Sequence, residues 1–163
     1  MNGSNGERVL RQHLAHVLEW KEAHAGLDAA FEAFPHELRG VRPSGFRHSA
    51  WELLEHTRLA QRDILDFVRD PEYPEKRWPD DYWPTAPAPT SEDAWEHSLR
   101  GYREDRAALR SLVLDPDADL LSPIPHGDGQ TLLREVLLAA DHAAYHTGQV
   151  VLLRRALGIW NAR

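Results

Sequence analysis

Cysteine is absent from the chain. Its absence excludes a disulfide scaffold, a thiolate metal cluster and a nucleophilic thiol supplied by the protein itself. No stretch approaches 18 continuous apolar residues, so no membrane partner is expected. The opening MNGSNGERVLRQH lacks a basic region followed by an apolar run, which makes a cytoplasmic location the simplest expectation. Positive charge is in deficit, with 19 Lys plus Arg against 26 Asp plus Glu and a formal net charge of -7. That balance works against binding a phosphate backbone, and no nucleic-acid partner is expected. Neither an internal repeat nor a Gly-rich phosphate loop occurs.

What remains is the composition of a folded globule, 42% hydrophobic and 28% charged, neither disordered nor membrane-embedded. A length of 163 residues suits a single domain over 1–163 with its own buried core.

Apolar residues at Leu10, Leu14, Val17, Leu18, Leu27, Phe31 and Phe34 predict a first helix over 7–34, in which Gly26 weakens the pattern without ending it. Trp20, inside it, is expected to pack. Pro35 and HELRGVRPSG predict a loop over 35–48. Ser49 and Glu52 then form a capping-box pair, so a second helix starts near Ala50. Its inward stripe reads Leu53, His56, Ala60, Ile64 and Phe67, widened by Leu54, Thr57, Leu65 and Val68.

Residues 70–90, DPEYPEKRWPDDYWPTAPAPT, hold six prolines and cannot continue a regular helix. Tyr73, Trp78, Tyr82 and Trp83 give this connection ring area that a solvated linker does not need, so it is expected to pack on the domain, over a site or at an interface. Thr90 and Asp93 mark the start of a third helix with the stripe Trp95, Leu99, Tyr102, Arg106, Leu109 and Val113. Arg106 is expected to lay its stem along the edge of that stripe rather than pair with an acid. A turn-rich connection follows Asp115-Pro116, and a fourth helix runs from a Thr131 cap to Gly158. Long amphipathic helices without a sheet pattern predict an all-α bundle.

Inward positions of the fourth helix are Glu135, Leu138 or Ala139, His142, His146, Gln149 or Val150, Leu153 and Leu157. His142 and His146 stack one turn apart and can point at one volume. Two imidazoles offer two ligands, and an open metal site normally takes a third from a facing helix. His56, in the apolar stripe of the second helix, is the candidate. Spacing alone leaves two readings open: three separately satisfied core histidines, or one shared ion that satisfies all three.

HAAYH is not HExxH, so the glutamate base of common zinc peptidases is missing. Glu52 can serve as the helix cap or orient a ligand, and the cap is the preferred reading. Gln149 can hydrogen-bond a ligand from outside or be an ordinary polar residue at the helix edge. His13, His16 and His24, and His36, His97 and His126 near the connections, converge less well. His48 carries no assignment.

The stretches SAWELLEHTRLAQRDILDFV at 49–68 and HGDGQTLLREVLLAADHAAYHTGQVVLLRRALG at 126–158 resemble the DinB/YfiT-like family of metal-dependent proteins. The resemblance implies a four-helix bundle of the up-down-down-up type, with the long Pro/aromatic-rich connection between helices two and three. It also implies a divalent-metal site, nickel or zinc, held by His56, His142 and His146. Some members are bacillithiol-dependent transferases or mycothiol-dependent isomerases, which implies a low-molecular-weight thiol cofactor, a small-molecule substrate and a homodimer. Two other expectations stand beside thiol transfer: hydrolysis through bound water, and a non-catalytic structural or sensing metal site.

Overall fold

The computed structural model describes residues 2–160 of the chain, and the fold is all-α. Its helices are α1 (Asn2–Val17), α2 (Leu27–Phe31), α3 (Ala50–Arg69), α4 (Glu92–Leu114) and α5 (Leu132–Ala156), with 3-10 turns at His36–Leu38 and Asp80–Tyr82. Among the described residues the only β pairing is an isolated bridge between Pro123 and Thr131. α3 packs on α4 and α5, α1 packs on the same two helices, and α2 lies on α5.

The first helix departs from expectation. Instead of one helix over 7–34, α1 begins at Asn2 and ends at Val17, and α2 follows as a separate turn of helix. Between Leu18 and Leu27 the chain reads EWKEAHAG, so a continued helix would have almost nothing to bury. Gly26 takes an extended conformation, φ -75° and ψ 167°, as the N-cap of α2. Trp20 is 54% exposed rather than packed.

The break brings Asp28 to α4, where Arg106 Nη2 donates to Asp28 Oδ2 and Arg103 Nε to Asp28 Oδ1, each at 2.7 Å. Arg106 is thus paired with an acid, which corrects the expectation of a stem lying alone along the apolar edge. Burial raises the Asp28 carboxyl, but the hydrogen bonds from the two guanidiniums outweigh it and hold the group below its ordinary value.

α3 starts as the capping box requires. Ser49 Oγ accepts the Glu52 N–H at 3.2 Å, and the Ser49 N–H donates to Glu52 Oε2 at 2.8 Å. The same hydroxyl donates to Pro87 O at 2.5 Å, tying the helix start to the Pro-rich connection. Ser49→Ala removes both contacts and is expected to cost about 1–2 kcal/mol, read as a lower midpoint in urea unfolding. α4 is capped by Ser91, whose Oγ accepts from the Ala94 N–H at 3.2 Å, one residue beyond the expected Thr90. Thr131 caps α5 through the Arg134 N–H at 3.1 Å, and Gly158 leaves the helix at φ 71°, a conformation glycine adopts without strain.

Two apolar clusters fill the interior. One includes Phe31, Leu54, Trp95, Tyr102 and Leu153, and the other Leu14, Leu65, Leu109, Val113 and Val136. Polar links also join α3 to α4: the Ser98 hydroxyl donates to Glu55, Gln61 Nε2 donates to Tyr102 O at 2.7 Å, and Arg62 Nη1 lies 3.2 Å from Asp105 Oδ1. Ala139 is buried while Leu138 is 38% exposed, which decides between the two inward positions left open on α5.

Two buried arginines stitch helix ends. Arg11 donates to the carbonyls of Val113, Asp115 and Ala118 at 3.0, 2.7 and 2.6 Å, and Arg154 to those of Ala30 and Glu32 at 3.0 and 2.7 Å. They satisfy acceptors at or just past the ends of α4 and α2 that have no partner within the helix.

Between α3 and α4 the Pro-rich stretch is anchored at one carboxylate. The phenols of Tyr73 and Tyr82 each donate to Asp63 at 2.6 Å, and Lys76 Nζ lies 3.2 Å from Asp63. The stretch also meets the loop before α3 so closely that a Cβ on Gly40 would collide with Ala88. Trp78 is the exception among its aromatics, 68% exposed.

Candidate metal centre

α3 carries His56 into the interior, two turns after its cap, and α5 presents His142 and His146 one turn apart. The three rings meet. His142 Nε2 lies 3.0 Å from His56 Nε2 and 3.1 Å from His146 Nε2. Among the described residues this is the one group of three or more His, Asp or Glu side chains arranged to share an ion. His56 and His146 are buried and His142 is half-buried.

The outer nitrogens decide which way the lone pairs point. His56 Nδ1 is 2.9 Å from the carbonyl of Tyr82, and His146 Nδ1 is 2.8 Å from Gln149 Oε1. Both partners are carbonyl oxygens that only accept, so each Nδ1 carries the proton and each Nε2 presents its lone pair to the cluster. Trp83 lies flat on His56, centroids 3.9 Å apart and planes 2° apart, and its other face stacks on His48 at 4.0 Å.

Burial, then the neighbouring rings of His146 and His56, pushes His142 down to about 3. Burial pushes His146 down to about 4, against the hydrogen bond to Gln149. His56 is lowered by burial too, against the Tyr82 carbonyl, which favours the protonated ring. All three imidazoles are therefore neutral at pH 7, the form that binds metal. Bonds of about 2.0–2.1 Å to one central ion place neighbouring nitrogens about 3 Å apart. The donor set fits a divalent ion, which would take one lone pair from each Nε2 at once.

A pH dependence follows. Because the folded state depresses these histidines below the ordinary 6.5, the unfolded chain binds protons first as pH falls. Metal-free protein should keep this contribution to its stability above pH 6.5 and lose it progressively as the pH falls toward the values near 4 and 3. Thermal melts in chelator between pH 7.5 and 5, above most carboxylate titration, are expected to fall steadily, and a flat profile would contradict it.

The cluster opens on a cavity of about 620 Å³ walled by Phe46, Trp78, Trp83, Tyr145 and Leu152. Tyr145, on a neighbouring face of α5, turns its edge to His146 with centroids 5.0 Å apart. Gln149 contacts His146 directly. Glu52 does not join the cluster: its carboxylate is held by the Ser49 N–H and by Arg42, whose Nε is 2.7 Å away. His13, His16 and His24 are exposed, with His16 paired to Glu22 at 3.0 Å, and His126 lies 2.6 Å from Phe67 O. Sequence reading missed the Tyr82 carbonyl, which has no side-chain signature, and the His48–Trp83–His56 stack, whose members come from three separate segments.

A family model described as the DinB superfamily matches residues 19–150 of the chain. No curated protein and no solved structure gave a match.

Proposed function

The chain belongs to the DinB superfamily, and from that premise we propose that His56, His142 and His146 hold a divalent metal, nickel or zinc, through Nε2, in a single-domain enzyme acting on a small thiol. Three imidazoles are a donor set suited to either ion. The convergence of three Nε2 atoms on one point beside an open cavity carries this reading. A sealed structural or sensing site would not need the cavity. Gln149 and the Tyr82 carbonyl keep the ligand rings oriented from outside.

The bound ion would supply positive charge that favours a thiolate over its thiol. In the proposed reaction an external thiol loses its proton to solvent and its sulfur bonds to an electrophilic carbon. The leaving group departs with the electrons of the broken bond. A thiol brought in from solution agrees with a chain that has no cysteine. The wall carries no carboxylate to act as base toward water, which favours this reading over hydrolysis.

The up-down-down-up order of α1, α3, α4 and α5 belongs to the same proposal. Residue pairs that advance together, Glu55 with Ser98 and Arg62 with Asp105, support parallel α3 and α4. Arg11 with Val113 and Glu19 with Arg106 support α1 running against α4.

Elemental analysis joined to a conjugation assay tests the function. Purified protein is expected to hold one ion per chain and to conjugate bacillithiol, mycothiol or glutathione to 1-chloro-2,4-dinitrobenzene only when loaded. A loaded protein that leaves all three thiols untouched would sink the thiol reading.

A further inference from the structure

An acidic protein has built this cavity without acid. Four other surface cavities are each lined by three or more Asp and Glu residues, such as Glu19, Asp28 and Asp141 around the one beside Trp20. The wall around the histidines has none, in a chain of net charge -7. Its one permanently charged side chain is Arg47, which is exposed and makes no hydrogen bond or ion pair with another described residue. The nearby Arg42 is committed to Glu52, so the acid closest to Arg47 along the chain is already neutralised.

The uncharged polar groups point the same way. Gln149 uses its oxygen to accept from His146, which leaves its amide N–H groups as donors at the cavity wall. With neutral imidazoles and a divalent ion, the site would be strongly positive and offer donors without a carboxylate acceptor. An unpaired guanidinium matches a carboxylate in shape and charge. Phe46, Trp78, Tyr145 and Leu152 line the same cavity with apolar surface, and the cavity volume suits a small organic molecule.

We infer that the cavity selects a carboxylate-bearing small molecule, with its metal-binding atom at the three histidines, its apolar body against the aromatic wall and its carboxylate at Arg47. This rests on the metal reading above and adds the charge of the ligand to it.

Cobalt-loaded protein should be titrated with three thiols that differ in tail charge: 3-mercaptopropionate, 2-mercaptoethanol and 2-aminoethanethiol. Affinity is read from the sulfur-to-cobalt charge-transfer band. The anionic thiol is expected to bind at least about tenfold more tightly than the neutral one, with the cationic thiol weakest. Arg47→Gln is expected to abolish the difference between anionic and neutral tails while cobalt loading stays at one ion per chain. Equal affinities in the unaltered protein, a preference that survives Arg47→Gln, or no binding of the anionic thiol to fully loaded protein would each overturn the inference. Failure of the unaltered protein to take up cobalt would instead overturn the metal reading, and this inference with it.

Discussion

His142→Ala is expected to lose stoichiometric divalent metal while remaining folded. His142 is the shared member of the cluster, since its Nε2 lies 3.0 Å from His56 and 3.1 Å from His146. Without it the remaining pair cannot enclose an ion from three directions. Loss of an outer hydrogen-bond partner of a ligand costs about 10–100-fold in metal affinity, so loss of a ligand should exceed about 100-fold. The fold should tolerate the change, because His142 is only half-buried and alanine favours helix. The check is elemental analysis beside a thermal melt: the unaltered protein gains melting temperature when zinc is added and the variant does not. A fully loaded variant would refute the assignment.

Trp95→Ala carries the largest expected stability loss, about 3–5 kcal/mol by comparison with other large-to-small core substitutions. Trp95 is 1% exposed. Its ring meets Phe31 edge-on at 5.6 Å and Phe34 at 5.7 Å, and the Arg39 guanidinium lies 4.6 Å above it. Truncation would leave a cavity where α2, the loop before α3, and α4 converge. Chemical denaturation should show a lower midpoint with an unchanged slope. A loss below about 1 kcal/mol would mean that the surrounding rings collapse into the space.

The helices that build the candidate centre were the most legible part of the chain. α3 announced itself through Ser49 and Glu52 at capping-box spacing, and α5 through Thr131 and a long apolar period ending at Gly158. The meeting of His56 with His142 and His146 could be anticipated because side chains three and four residues apart share a helix face. The expected first helix joins two apolar runs, Leu10 to Leu18 and Leu27 to Phe34, that are each periodic by themselves. Leu18 and Leu27 are nine residues apart, about half a turn out of phase at roughly 100° per residue, and that loss of phase across the gap is the signal of the break. Arg11, Arg106 and Arg154 were illegible for another reason. Their burial is compensated by Asp28 or by main-chain carbonyls from distant segments, and no local pattern encodes partners far away in sequence.

The grip of the Pro-rich connection on His56 is a main-chain oxygen, the carbonyl of Tyr82. Any amino acid supplies that oxygen. What ligand orientation demands of this stretch is therefore a path, secured at Asp63 by two phenols, while Trp78 and Trp83 shape the room beside the cluster. On the proposed reading, ion retention rests on side chains of α3 and α5, and choice of occupant in large part on the walls that the Pro-rich connection supplies. Substitutions at Leu152, an exposed residue of the same wall, would remodel the occupant's surroundings without touching Trp78 or Trp83, whose rings meet His56, so that relatives sharing one centre would diverge in what they accept.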